Sequence, residues 1–131
     1  MMIQLDDNIS EHFKYKELFT PEFLSKCNLK GWKPSWFIDS ELIVLLEIIR
    51  NKFDSPVHIN YMGLTQRGFR DFHTPIKEGA EYSQHYYGRA ADITVEGVRE
   101  IVVAKYVQGQ FGYYTKVYRS WTHVDVRWEK L

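Results

Sequence analysis

Apolar residues recur at helical spacing most clearly over residues 40–53, where Leu42, Leu45, Leu46 and Ile49 stand at i, i+3, i+4 and i+7 and form one stripe. Asp39 or Ser40 can cap the start of this helix by accepting a free backbone N–H. After Pro56 the period changes. In VHINYM, Val57, Ile59 and Tyr61 share one face, as in a strand. AADITV, at about 90–95, predicts a further strand. A second helix is expected over about 97–107, with Val98, Ile101, Val102 and Lys105 at helical spacing and Gly109 and Gly112 ending it. Residues 112–128 alternate again and predict a hairpin that turns near Arg119-Ser120, without the usual Asn-Gly signal. Upstream, SEHFKYKELF over 10–19 sets Phe13, Leu18 and Phe19 among charges and reads as a short helix or an irregular docking segment. Residues 20–39, broken by Pro21, Gly31 and Pro34 and carrying Trp32, Trp36 and Phe37, read as short helical turns and loop over a core face. Residues 63–83 read as a long loop, longer than connections usually are, and such loops tend to carry function. The sum is α+β, with helices packed on a mostly antiparallel sheet.

Composition narrows the picture. A chain of 131 residues fits one domain over 1–131. Such a domain buries roughly two-thirds of its extended-chain surface and needs no disulfide staples. The 44% hydrophobic and 16% aromatic content at zero formal charge excludes a disordered chain. Nothing approaches about 18 consecutive apolar residues, so no membrane insertion is expected. Lys plus Arg and Asp plus Glu are both 17, which gives no global reason to bind nucleic acid. The single Cys27 sits in SKCNLKG without an activating motif and reads as a small buried or half-exposed residue. MMIQLDDNIS lacks the cationic start and apolar run of a secretory signal, so the expectation is synthesis in the cytoplasm, with a monomer as the default.

Two segments concentrate chemistry: SQHYYGRAAD over 83–92 and WTHVDVR over 121–127. A catalytic zinc takes three protein ligands, commonly histidine and a carboxylate, and keeps one position for water. His85, Asp92 and His123 could supply that set. Six residues separate His85 from Asp92, enough for the chain to reverse so that both meet one ion. Gly88 permits tight backbone geometry there, and Ala90 and Ala91 leave space. In HVDV, alternation turns His123 and Asp125 to one side and Val124 and Val126 into the core. On spacing alone this competes with an ordinary strand histidine and a chance His–Asp pair.

The string S-x-H-x-x-G-x-A-x-D, here Ser83 to Asp92, followed by a late H-x-D, here His123-Val124-Asp125, resembles the zinc D-Ala-D-Ala carboxypeptidase family of metallopeptidases, in particular its compact bacterial and phage members. Arg67-Gly68-Phe69-Arg70 resembles the G-x-R segment that precedes the motif in that family, and SEHFKYKELF resembles its usual opening. The likeness is strong over about 56–127 and weak over 8–50. It implies a Hedgehog/D-Ala-D-Ala-peptidase type fold and zinc held by His85, Asp92 and His123. It also implies hydrolysis of peptide bonds in peptidoglycan stem peptides or cross-links, as a carboxypeptidase, an endopeptidase or a phage endolysin. Arg70 best matches the family arginine that holds an oxyanion or a substrate carboxylate, with Arg67 second and Arg89 a further candidate. Arg67, Ser83 and Tyr86 are candidate substrate-binding residues.

One position departs from the pattern. Many relatives carry Glu or Asp three residues before the last histidine, and here that residue is Ser120. Asp125 then has two readings: the general base itself, or an acceptor that orients a ligand imidazole. Glu81 and His73 are other candidate bases. A catalytically inactive zinc module that binds the cell wall, or serves as a virion structural part, is the alternative. His12 and His58 read as ordinary polar positions, and Tyr113, Tyr114 and Tyr118 as groove or sheet aromatics. Trp32, Trp36 and Trp121 read as core.

Overall fold

The computed structural model describes residues 2–59 and 88–127. Among these, helices α1 (Tyr15–Leu18), α2 (Pro21–Lys30) and α3 (Ser40–Phe53) precede strand β1 (Val57–Ile59). Strand β2 (Ala90–Val95), helix α4 (Glu100–Phe111) and the hairpin of β3 (Tyr114–Val117) and β4 (Thr122–Asp125) follow. The four described strands form one antiparallel sheet in the order β1-β2-β4-β3. The expected α+β architecture is therefore present.

The helix α3 forms as its pattern demands. Asp39 caps it by accepting from the Glu41 N–H at 2.8 Å, and Leu42, Leu45, Leu46 and Ile49 are all buried. They join Val57, Ile59, Ile93, Val95, Val124 and Val126 of the sheet in one core, to which Phe13, Leu18 and Phe19 also belong. Each such side chain contributes roughly 1.5–3 kcal/mol of apolar burial. Cys27 is buried in the same core, as expected.

Three expectations need correction. Residues 21–30 form a ten-residue helix rather than short turns. Pro21 occupies its first turn, where the missing N–H costs nothing, and Gly31 closes it in the left-handed region at φ 73°. Helix α4 runs Glu100–Phe111 rather than 97–107, with Gly109 inside it and only Gly112 as its C-cap. Its buried stripe is Val103, Ala104 and Val107, whereas Ile101 and Val102 are exposed. Lastly, Trp36 is 64% exposed, and Trp32 only packs partly against the core.

Candidate metal centre on the sheet face away from the core

Directly opposed residues of an antiparallel pair share a face. In β2 and β4, Ala91, Ile93, Val124 and Val126 turn into the core. Asp92 and His123, paired in register, therefore turn the other way. The next row on that face joins Ala90, Asp125 and Tyr114, and Lys116 stands across from His123. The alternation read from HVDV holds: His123 and Asp125 lie together, opposite Val124 and Val126.

The imidazole of His123 is gripped at both nitrogens. Its Nδ1 lies 3.0 Å from Asp92 Oδ1, and its Nε2 lies 2.7 Å from Asp125 Oδ2. Asp125 is itself fully engaged. Its Oδ1 accepts from Arg127 Nε at 2.7 Å and from the Arg127 backbone N–H at 3.3 Å, and its Oδ2 accepts from Arg127 Nη2 at 2.6 Å. Asp92 and Asp125 are both buried. Burial works against the charged form of His123, but the hydrogen bonds and charges of Asp125 and Asp92 outweigh it and raise its pKa. Burial likewise opposes ionisation of Asp125, but hydrogen bonds from Arg127 and His123 win and lower its pKa.

The backbone that presents Asp92 is anchored at its start. Gly88 adopts φ 66°, and a Cβ there would lie 2.0 Å from Phe37 O and 2.8 Å from Ile38 Cα. Its carbonyl accepts from the Asp39 N–H at 2.8 Å. The glycine of the motif is thus required by a close backbone approach to the residues that open α3. At the same end of β2, Val126 N donates to Arg89 O at 2.9 Å and extends the pairing with β4 by one residue.

The donor chemistry fits zinc at Asp92 and His123. Two ligands about 2.1 Å from one tetrahedral ion lie about 3.4 Å apart, close to the 3.0 Å between Asp92 Oδ1 and His123 Nδ1. His85, the third expected ligand, lies outside the described residues, as do Arg67, Arg70, His73, Glu81, Ser83 and Tyr86. Ser120 is exposed in the β3–β4 turn, where its carbonyl accepts from Thr94 Oγ1 at 3.2 Å. His58 faces away from the core and meets Glu96 at 2.7 Å.

Elsewhere among the described residues, Glu11, His12 and Glu47 bring one possible ligand atom each within 4.8 Å of one another. There the Glu47 carboxylate accepts from Ser10 Oγ at 2.6 Å and from the His12 N–H at 2.8 Å, and it meets His12 Nδ1 at 2.6 Å. Reading the sequence did not single out Glu47, because nothing local to it marks a partner more than thirty residues upstream. It also gave no role to Arg127, and it took Tyr114 as a groove or sheet aromatic without linking it to Arg127. The signal for Arg127 was present, since alternation continues from His123 and Asp125 to it.

The sequence model of the peptidase M15 family matches residues 11–125. The chain therefore belongs to peptidase M15, a family of D-Ala-D-Ala carboxypeptidase-type metallopeptidases that depend on zinc. No curated protein and no solved structure matches it. Among the described residues, no helix is long and apolar enough to cross a membrane.

Proposed function

We propose that the protein is a zinc-dependent peptidase that hydrolyses peptide bonds in peptidoglycan stem peptides or their cross-links, with His85, Asp92 and His123 as the zinc ligands. The observation that carries this reading is the row formed by Asp92 and His123. A carboxylate oxygen and an imidazole nitrogen from adjacent strands converge at 3.0 Å, on a face turned from the core. When bound, zinc supplies Lewis-acid polarisation of the scissile carbonyl and makes a water acidic near neutral pH. Arg70, or Arg67 after it, holds the developing oxyanion or a substrate carboxylate in its planar fork, and Ser83 and Tyr86 contact the peptide.

Of the roles open to Asp125, we favour the orienting acceptor. A general base needs a free lone pair within reach of the proton it takes, and a pKa near the working pH. Asp125 is buried, gives both oxygens to Arg127 and one of them to His123, and is held below the ordinary carboxylate pKa. Its place on Nε2 leaves Nδ1 as the coordinating nitrogen. The proton is then taken by another group, for which Glu81 and His73 are the candidates. Released from the cytoplasm as a phage or prophage lysin is, a peptidase of this kind would act at the cell wall or periplasm.

One observation favours a second reading, a zinc-containing wall-binding module without turnover: Ser120, at the position where the resemblance leads one to expect a carboxylate, lies exposed in the hairpin turn. Digestion of purified peptidoglycan with and without chelator, read by mass spectrometry, separates the two. New peptide termini that disappear with chelator support the hydrolase and show which bond is cut. Stoichiometric zinc with no cleavage supports the binding module. A protein that holds no zinc at neutral pH sinks both.

A further inference from the structure

Arg127 is held on two sides. In the plane of its guanidinium, Nε and Nη2 make parallel bonds to the two oxygens of Asp125 at 2.7 and 2.6 Å. On its face, Cζ lies 4.0 Å from the centroid of the Tyr114 ring. Tyr114 is the register partner of Asp125 across β3 and β4, and its ring meets the His123 imidazole edge-on at 5.8 Å. An ordinary surface pair is built differently. Lys16 and Asp6 touch at one point, 2.7 Å, with side chains 51% and 72% exposed.

This construction leaves Asp125 little freedom. A carboxylate bound by a two-point fork cannot rotate about its last bond without breaking both bonds. Its Oδ2 is then fixed 2.7 Å from His123 Nε2. An imidazole pinned at one nitrogen cannot flip, so its Nδ1 stays beside Asp92 Oδ1. We propose that Arg127, seated on Tyr114, is a positioning residue for the metal-binding histidine: it holds Asp125, and through Asp125 it sets the ring of His123 so that Nδ1 meets the ion. This rests on the reading of His85, Asp92 and His123 as zinc ligands. In this role Arg127 acts through Asp125 and not directly on the metal or the substrate. The role needs a guanidinium, because an ammonium has no planar fork to span both oxygens while lying flat on a phenol ring.

The test uses the full chain as wild type, Arg127→Met and Arg127→Lys. Zinc affinity is read by competition with a chromophoric chelator, unfolding temperature on the zinc-free proteins, and kcat and KM on a peptidoglycan peptide at saturating zinc. Arg127→Met is expected to bind zinc about 10–100-fold more weakly, the range typical of groups that orient a ligand. Arg127→Lys is expected to recover only part of that loss. At saturating zinc, kcat falls and KM stays, because no substrate contact is removed. A folded variant that binds zinc within twofold of wild type while unfolding at lower temperature overturns the proposal and leaves Arg127 a structural ion pair. Should Arg127→Met fail to fold, Arg127→Lys decides by the same criterion. If wild type itself binds no zinc, the reading of the metal site falls and takes this inference with it, an outcome distinct from equal binding by wild type and variant.

Discussion

Two histidine–carboxylate clusters among the described residues, one around Glu47 and one around His123, are made of nearly the same parts and do opposite things with them. At the N-terminal segment, the Glu47 carboxylate of α3 accepts from Ser10 and twice meets His12. It is spent on fastening residues 10–12 to the helix, and the imidazole meets it at Nδ1. On the sheet, His123 is held at both nitrogens by carboxylates from two strands, and one of these is locked by an arginine. Among the described residues, the first cluster gathers three possible ligand atoms within 4.8 Å of one another. The second is the better built to hold an ion. Its backbone is fixed by strand pairing, and the nitrogen facing Asp92 is aimed by a partner on the opposite side of the ring. What distinguishes a metal site from a staple is whether the surrounding groups orient the donors or consume them.

The widest gap between the clusters is expected in zinc binding. His123→Ala should weaken zinc affinity by more than about 100-fold, since it removes a ligand rather than a supporting group, and peptidase turnover should vanish with it. His12→Ala should leave zinc content unchanged. Metal analysis after dialysis against trace zinc checks both. If His12→Ala loses zinc and His123→Ala keeps it, the assignment of the two clusters is reversed.

The next effect tests the claim that the sheet cluster depends on its backbone. Gly88→Ala places a Cβ 2.0 Å from Phe37 O at a φ of 66°. Strain in the left-handed region and the collision with a backbone carbonyl together should cost about 3 kcal/mol of stability. Chemical denaturation of the zinc-free variant measures this. A loss below about 1 kcal/mol would mean that the opening of α3 yields easily, and that Gly88 does not set the start of β2.

Asp125→Asn sharpens the contrast at the level of one atom. An amide keeps the shape but not the charge that holds Arg127, so zinc affinity is expected to fall about 10-fold. Turnover should be lost along with the metal and return only in part at saturating zinc, with kcat lowered and KM unchanged as for Arg127→Met. Lost turnover at full zinc content would instead make Asp125 the base. No change in either would remove both roles.

How far these clusters were legible beforehand differs for physical reasons. Helix α3 and strand β2 were readable to the residue, because a single apolar stripe and a bounded apolar run each admit one phase. The hairpin was placed correctly even without its usual turn signal: Tyr118 N donates to Trp121 O at 2.9 Å, which puts Arg119 and Ser120 at the turn. Helix α4 was misphased because Ile101, Val102, Val103 and Ala104 are all apolar, and a continuous run cannot say which side faces the core. Gly97 at φ 73° then delays its start. On the sheet, local alternation sufficed to group His123 with Asp125. The pairing of Asp92 with His123 needed the resemblance, and the fork of Arg127 needed the coordinates. The Glu47 staple was invisible because it joins segments distant in sequence, with no periodic signal between them.

The smallest effect belongs to that staple and fixes what kind of cluster it is. Burial opposes ionisation of Glu47, but hydrogen bonds from Ser10 and His12 prevail and place its pKa below the ordinary value. A carboxyl whose pKa is lower in the folded than in the unfolded chain adds stability above its unfolded value of about 4.3. That stability is lost as pH falls through the folded value. Glu47→Gln should therefore cost about 1 kcal/mol at pH 7, with the difference from wild type shrinking as pH drops below about 4. Thermal unfolding of both proteins from pH 3 to 7 checks the sign, and zinc affinity should be the same in both throughout. If the variant matched wild type in stability at pH 7 yet lost zinc, Glu47 would belong to a metal site rather than to a fastening.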